Sequence, residues 1–252
     1  MNLKNHALVE LKKERHLKIY LIPLAFLFLV FCWGAFSFRG ADDYDLAQGY
    51  TYLLYQLPLI NCILMPVLLA VLASRLCDME IKGHTLLLLG TLQEKRSFYD
   101  WKYLHSFIWL LLFSIGEALV FPLCGKLFHF TETFPLGLVL RHAGTLLVAG
   151  AVVLTLQHFL SLMSENQIVP LLMGLMGAFL GLFSMYFPHA VARFVLWRYF
   201  GTFLPVGMDW NADTRVIAFY SVPFPTLTFL LFLLFGILLY LTCRAVFLKK
   251  EV

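Results

Sequence analysis

Long apolar runs alternate with short polar connections along this chain of 252 residues. A helix needs about 20 mainly apolar residues to cross the hydrocarbon core of a bilayer. Runs of about that length are predicted to span the membrane at Leu17–Phe36, Tyr52–Leu76, Tyr103–Leu123, His142–Met163, Ile168–Phe187 and Phe224–Val246. The pattern therefore predicts an all-α integral membrane protein with six transmembrane helices in a single domain over residues 1–252.

Two further segments are predicted to lie at the membrane surface. Before the first span, Leu3, Ala7 and Leu11 recur at helical spacing among basic residues. This spacing favours an N-terminal interfacial helix over a flexible basic tail. Between spans five and six, residues 188–223 form a hydrophobic external segment rich in aromatic side chains. We expect it to act as an interfacial anchor, as an external gate, or as both.

Composition and charge support this assignment and orient the chain. Hydrophobic residues make up 61% of the chain and charged residues 13%, against about half and about a quarter in soluble domains. Thirteen of the 19 Lys and Arg residues lie near the two termini or after span two. The positive-inside rule then predicts that both termini are cytosolic. The net charge of +4 follows from this topology, so we expect no nucleic-acid partner.

The sequence gives no sign of an enzyme. It lacks the H-E-x-x-H, G-x-S-x-G and G-x-x-x-x-G-K-[ST] patterns that mark zinc proteases, serine hydrolases and nucleotide-binding loops. We therefore expect no catalytic residue, no metal site and no cofactor on this chain. The first apolar run is too long for the apolar core of a signal peptide, so we expect it to remain as an anchor.

Polar side chains inside the predicted spans form a possible intramembrane polar site of Glu117, Asn61 and Gln157. An ionisable residue within the membrane is a functional hypothesis by default. Structural pairing of Glu117, for example with Arg141, is the first interpretation, and proton coupling in a secondary transporter is the second. Asn61 and Gln157 either bond across helices or line a substrate route.

Small residues recur on one face of span five. Gly177 and Gly181 form a G-x-x-x-G motif, which allows another helix to approach closely. This face is predicted to serve either helix packing within the chain or contact with a second subunit or path. Its residues are Gly174, Gly177, Gly181 and Ser184.

The connection after span two combines charge with a leucine-rich turn. Gly83 is expected to interrupt the helix, and residues 85–89 can form one short helical turn. Four consecutive leucines favour a contact surface over a solvated turn. We therefore predict a short amphipathic element that docks on a cytosolic partner through Asp78, Glu80, Lys82, Gly83, His84, Thr85 and Leu88.

This connection resembles the first cytosolic loop of ABC-2-type transporter permeases. The resemblance rests on Asp78-Met-Glu-Ile-Lys-Gly-His-Thr85, the leucine-rich turn, and Arg96-x-x-Tyr99-x-x-Lys102. The length and the Asp-x-Glu-x-Lys-Gly-x-Thr pattern are most similar to permeases of lantibiotic self-immunity exporters of Gram-positive bacteria. Gln93-Glu94 stands where many such relatives have a proline.

The resemblance implies a transport complex in the cytoplasmic membrane. Its coupling helix would dock on a cytosolic ABC ATPase present in two copies, and ATP and Mg would bind there rather than to this chain. A second permease, usually a different protein, would complete a heterodimer. The substrate would be an amphipathic peptide, a lantibiotic, taken from the membrane and released outside.

Other functions are compatible with the same pattern. An ABC-2 exporter of another antibiotic, a lipid or a polysaccharide precursor would share the loop and the spans. A secondary transporter would use Glu117 instead of an ATPase. A membrane protein that recruits a cytosolic partner without transport is a third class. Co-purification of an ATPase separates the first function from the other two.

Overall fold

Apolar helices account for most of the chain in the computed structural model, which describes residues 17–82, 94–210 and 217–250. Each long helix corresponds to one predicted span. Their bounds are α1 Leu21–Ser37, α2 Gly49–Lys82, α3 Lys95–Leu127, α4 Leu136–Met163, α5 Ile168–Phe183 and α6 Thr226–Leu248. We call the end of the bundle where α2 ends and α3 begins the inner end, and the opposite end the outer end.

Five helices of the described part, α2 to α6, are long and apolar enough to cross a membrane, α5 together with a 3-10 turn that follows it. This finding confirms the predicted spans two to six as apolar helices. Helix α1 has 17 residues, or roughly 26 Å at 1.5 Å per residue, against a hydrocarbon thickness of about 30 Å. The first span is therefore not confirmed, and the count of six spans stays a prediction. The cytosolic location of the termini also stays a prediction. The proposed interfacial helix lies outside the described residues.

Helices α2 and α3 are longer than their predicted spans. They contain 34 and 33 residues, which corresponds to roughly 50 Å each. The predicted bounds followed the apolar runs. In the structure, however, α2 continues through the charged residues Asp78 and Glu80, and α3 already begins at Lys95. Both helices are therefore longer than the hydrocarbon core is thick.

Helix α2 lies at the centre of the bundle. It contacts α1, α3, α4 and α5, and its leucines Leu53, Leu57, Leu68 and Leu72 are fully buried. Helix α6, by contrast, contacts α3 and α4 on one side and exposes Leu227, Leu231, Leu234 and Leu238. A helix that is apolar on an exposed face suits a lipid environment.

The outer end of α2 is capped by a residue from a distant loop. The backbone N–H groups of Tyr50 and Thr51 donate to Glu132 Oε2 over 2.8 and 3.0 Å, and the Thr51 hydroxyl donates to Glu132 Oε1. The first N–H groups of a helix have no intrahelical acceptor, and a carboxylate there also complements the helix dipole. Glu132 thus joins the α3–α4 loop to the start of α2.

The external segment before α6 contains short helical turns and a β-hairpin. The turns are His189–Ala192, Leu196–Arg198 and Tyr199–Thr202, after the 3-10 turn Ser184–Tyr186 that directly follows α5, and the strands are β1 Val206–Trp210 and β2 Ile217–Ser221. The strands pair antiparallel, with Met208 opposite Phe219. The all-α prediction missed this hairpin, although it holds for the membrane-spanning part. Phe200 and Phe203 of the segment are buried against the bundle.

Candidate functional site

At the inner end, a buried ion pair joins α2 to α3. Lys102 Nζ lies 3.1 Å from Glu80 Oε1, and both side chains are 2% exposed. Glu80 is two residues before the end of α2, and Lys102 lies two helical turns into α3. Two charges removed from water are tolerated when each faces the other. The pair therefore fixes the two helices that flank residues 83–93.

The structure describes three of the seven predicted docking residues. Asp78 is half-buried on α2, and Glu80 is buried against Lys102 rather than turned outward. The Glu80 carboxylate therefore faces Lys102 in this structure, and its role in docking stays a prediction. Lys82 is the last residue of α2. The other predicted docking residues lie outside the described residues, namely Gly83, His84, Thr85 and Leu88.

A second set of polar contacts ties α3 to α6 at the same end. Asp100 accepts a hydrogen bond of 2.6 Å from the Tyr240 hydroxyl and forms an ion pair with Arg244. Close by, Lys250 Nζ donates to the carbonyl oxygen of Leu162 over 3.1 Å, at the inner end of α4. Sequence reasoning missed this set. The signal was the acidic Asp100 among basic residues just before the predicted third span.

The inner half of the bundle also encloses His158 and Ser161, both fully buried on α4. His158 Nδ1 lies 3.8 Å from Cys77 Sγ, and its ring contacts the ring of Tyr99 with centroids 4.9 Å apart. Ser161 Oγ has no hydrogen-bond partner among the described residues. Both side chains therefore lie in the packed core between α2, α3 and α4.

Towards the outer half, three polar side chains meet between α2, α3 and α4. Asn61 Nδ2 donates to Glu117 Oε1 over 2.7 Å, and His142 Nε2 lies 2.8 Å from the same oxygen. Asn61 and Glu117 are fully buried and His142 is nearly so. We call these residues the Glu117 cluster. The structure thus brings together two of the three residues predicted for an intramembrane polar site.

His142 is the member that sequence reasoning missed. It was taken as the first residue of the fourth span, but α4 begins six residues earlier, at Leu136. The proposed partner of Glu117, Arg141, points elsewhere. Its guanidinium donates to the carbonyl oxygens of Val222 and Leu204 and so attaches the external segment to α4.

Gln157, the third predicted residue, lies apart from the Glu117 cluster. With its amide oriented to satisfy both groups, Nε2 donates to Pro170 O over 3.0 Å and Oε1 accepts from Gly174 N over 3.2 Å. These are the backbone groups of one turn of α5. Gln157 therefore fastens α4 to α5 and has no contact with Glu117.

The glycine face of α5 is occupied by other parts of the same chain. A Cβ atom on Gly174 would lie 2.3 Å from Ala70 Cβ, and one on Gly177 would lie 2.3 Å from the Trp197 ring. A Cβ on Gly181 would lie 3.2 Å from the carbonyl oxygen of Cys62. Ser184 is buried and donates to Gly181 O. This face packs against α2 and the external segment, which leaves no room on it for a second subunit.

No group of His, Cys, Asp and Glu that could hold a metal ion occurs within residues 17–82, 94–210 and 217–250. Several polar side chains of the bundle are instead paired across helices, as in the Glu80–Lys102 pair and the Glu117 cluster. At the outer end lies an open cavity of about 360 Å³, which is lined by residues that include Asp42, Tyr44, Asp45, Tyr52 and Phe219. Its two aspartates form the cap of a short helix through each other's backbone N–H groups.

Comparison with known protein families identifies a match over most of the chain. The model of a family described as ABC-2 family transporter protein matches residues 8–181, which is more than half of the chain. The matched region includes α1 to α4, most of α5 and the loop after α2. No curated protein and no solved structure shows significant similarity to this chain.

Proposed function

Since the chain belongs to the ABC-2 transporter family, we propose that it is the permease subunit of an exporter that moves an amphipathic peptide out of the cytoplasmic membrane. The family supports a membrane-spanning permease without an ATPase site of its own, together with an ABC ATPase as partner. The apolar helices α2 to α6 support a multi-pass protein of the cell membrane. The substrate, the subunit composition and the docking residues are parts of the proposal.

The observation that carries the coupling role is the buried Glu80–Lys102 pair. Residues 83–93 connect two helices that are each about 50 Å long and that this pair holds together at their inner ends. A force applied to the connection is therefore transmitted to both helices at once. We propose that residues 78–88 dock on the ATPase, with Glu80 positioning the connection and the side chains beyond it making the contacts.

The remaining subunits follow from the same proposal. Two copies of a cytosolic ABC ATPase bind ATP and Mg and close on each other, and their closure pushes the connection after α2. A second permease, different from this chain, lies beside it in the membrane. The exposed apolar residues of α6 support an environment of lipid or another membrane helix, but they do not identify a partner.

For the substrate, we propose a lantibiotic, exported for self-immunity in a Gram-positive bacterium. Support for this class comes from the resemblance of Asp78–Thr85 to permeases of lantibiotic immunity. Substrates of other ABC-2 exporters, such as another antibiotic, a lipid or a polysaccharide precursor, are the alternative. Transport without an ATPase, driven through Glu117, is less well supported because its carboxyl group is enclosed by Asn61 and His142.

Two experiments test these proposals separately. The tagged chain is expressed with its neighbouring genes, and the detergent extract is analysed for a co-purifying ATPase. Absence of an ATPase, together with transport that survives depletion of ATP, would contradict the permease function. Cells that express the complex are then challenged with a panel of lantibiotics. Protection against at least one supports the substrate, and protection against none removes the peptide proposal while leaving the permease function intact.

A further inference from the structure

The Glu117 cluster contains two buried oxygen atoms that its hydrogen bonds leave unused. Glu117 Oε1 has two neighbours, Asn61 Nδ2 at 2.7 Å and His142 Nε2 at 2.8 Å. Glu117 Oε2 and Asn61 Oδ1 are both buried and have no hydrogen-bond partner among the described residues. An ionised carboxylate and an amide oxygen can only accept hydrogen bonds. The ionised form of Glu117 therefore leaves two buried acceptors without a donor, which is costly.

We propose that Glu117 is a proton-binding site, a neutral carboxyl group that carries its proton on Oε2 and donates it to Asn61 Oδ1. A carboxylic acid and a carboxamide are complementary, because each offers one donor and one acceptor on the same side. The amide N–H already donates to Oε1. A proton on Glu117 Oε2 then donates to Asn61 Oδ1, so that both unused oxygen atoms take part in one hydrogen bond.

His142 completes this arrangement as a neutral ring. Its Nε2–H donates to Glu117 Oε1, so that this oxygen receives two hydrogen bonds and uses both lone pairs. The alternative, a carboxylate paired with a charged imidazolium, places two charges in a buried site between apolar helices. It also leaves Glu117 Oε2 and Asn61 Oδ1 without donors. The neutral form satisfies these atoms and carries no charge into the bundle.

The described residues that bond to Glu117 come from α2 and α4. Asn61 from α2 does not titrate, and His142 from α4 is the titratable side chain that the described residues place in contact with Glu117. The ring of Phe121, one turn further along α3, packs on His142 with centroids 5.9 Å apart. The adjacent cation, Arg141, binds the carbonyl oxygens of Val222 and Leu204. The proton therefore belongs to a site closed by α2, α3 and α4.

This inference is independent of the proposed ATPase partner, because it concerns only the chemistry of the three helices. Infrared spectroscopy tests it directly on the full chain in lipid bilayers at neutral pH. The spectrum of the wild type is expected to contain the carbonyl band of a protonated carboxyl group that Glu117→Gln lacks. In Asn61→Leu the band is expected to move to higher frequency, because the carbonyl oxygen loses one donor. Absence of the band from the wild type would overturn the proposal.

Thermal unfolding provides a second test with a matched pair of variants. A glutamine at position 117 has the shape of the protonated acid and keeps both hydrogen bonds to Asn61, so Glu117→Gln is expected to melt close to the wild type. Glu117→Leu loses both bonds and is expected to melt lower, on the order of 5 °C. If Glu117→Gln melts as low as Glu117→Leu, the pairing is ionic and the proposal is wrong. The band shift in Asn61→Leu is measured on a chain that retains Glu117, so it decides the question even if Glu117→Gln fails to fold.

Discussion

Single polar side chains hold together helices that lipid would otherwise leave free to separate. Lipid tails are as apolar as leucine, so association of membrane helices depends on close contact and on hydrogen bonds between them. In this permease Glu80–Lys102 joins α2 to α3, Gln157 joins α4 to α5, and Asp100 joins α3 to α6. These links lie near the inner end or in the inner half, where the partner ATPase is proposed to act.

At the scale of residues, replacement of Lys102 by leucine is expected to destabilise the inner end. The change removes the Lys102 ammonium from the buried Glu80 carboxylate, and removing one partner of a buried ion pair costs roughly 3–5 kcal/mol. The double variant Glu80→Leu with Lys102→Leu removes both charges and is expected to regain part of the stability. The measurement is the thermal unfolding of the purified chain in detergent, with the exposed Arg75→Ala on α2 as control.

A functional assay distinguishes a role of the Glu80–Lys102 pair in coupling from a purely structural role. If Glu80 positions the connection, the double variant is expected to fold yet to couple ATP hydrolysis to transport less well. Equal stability of the wild type and the single Lys102→Leu variant would contradict the account of the buried pair.

The sequence was informative about which side chains are unusual and uninformative about where they point. Glu117 and Asn61 were both predicted to form an intramembrane site, and they are in contact. Glu80 was also singled out, but its burial depends on the rotation of α2 against α3, which hydropathy does not record. His142 was missed because the apolar run begins at it, although the helix begins earlier.

At the scale of elements, α5 packs against α2 through its small residues, and replacing one of these residues tests the contact between the two helices. Gly174→Leu is expected to lower the yield of folded protein and its melting temperature, because even a Cβ atom there would lie 2.3 Å from Ala70 Cβ and 3.0 Å from the carbonyl oxygen of Pro66. The backbone of α2 would have to shift. The control is Gly144→Leu on α4, where a Cβ atom meets no atom within 4 Å.

Size-exclusion chromatography of the two variants in detergent provides the readout. A monodisperse Gly144→Leu beside an aggregated or depleted Gly174→Leu is the expected result. Equal profiles for the two variants would show that the close approach of α5 to α2 does not limit folding.

The elements themselves could be predicted to different degrees. Spans two to six follow from apolar runs of sufficient length, because the cost of burying backbone groups in lipid allows little else. The inner ends of α2 and α3 could not be predicted from apolar runs, since the last turn of α2 and the first turn of α3 carry charged residues. The β-hairpin was missed because residues 188–223 were interpreted as one interfacial segment, and Val206–Trp210 and Ile217–Ser221 were not considered as strands.

At the scale of the whole molecule, the chain is a helical bundle with two different ends. The outer end carries the hairpin and short turns, fastened by Arg141 to α4. The inner end carries the clamped connection between α2 and α3 and the contacts of Asp100 and Lys250. The proposed function places the ATPase at the inner end and release of the substrate at the outer end, and this division is compatible with the proposal.

Site-specific crosslinking tests the central claim most directly, that the connection after α2 is where the ATPase docks. A photoreactive amino acid is placed at Leu88 in the full complex, and in a matched control at Tyr186, which is 85% exposed at the outer end. We predict a crosslink between position 88 and the ATPase, which depends on assembly of the complex, and none from position 186. Lack of a crosslink from position 88 in an assembled complex, or equal crosslinking from both positions, would contradict the account.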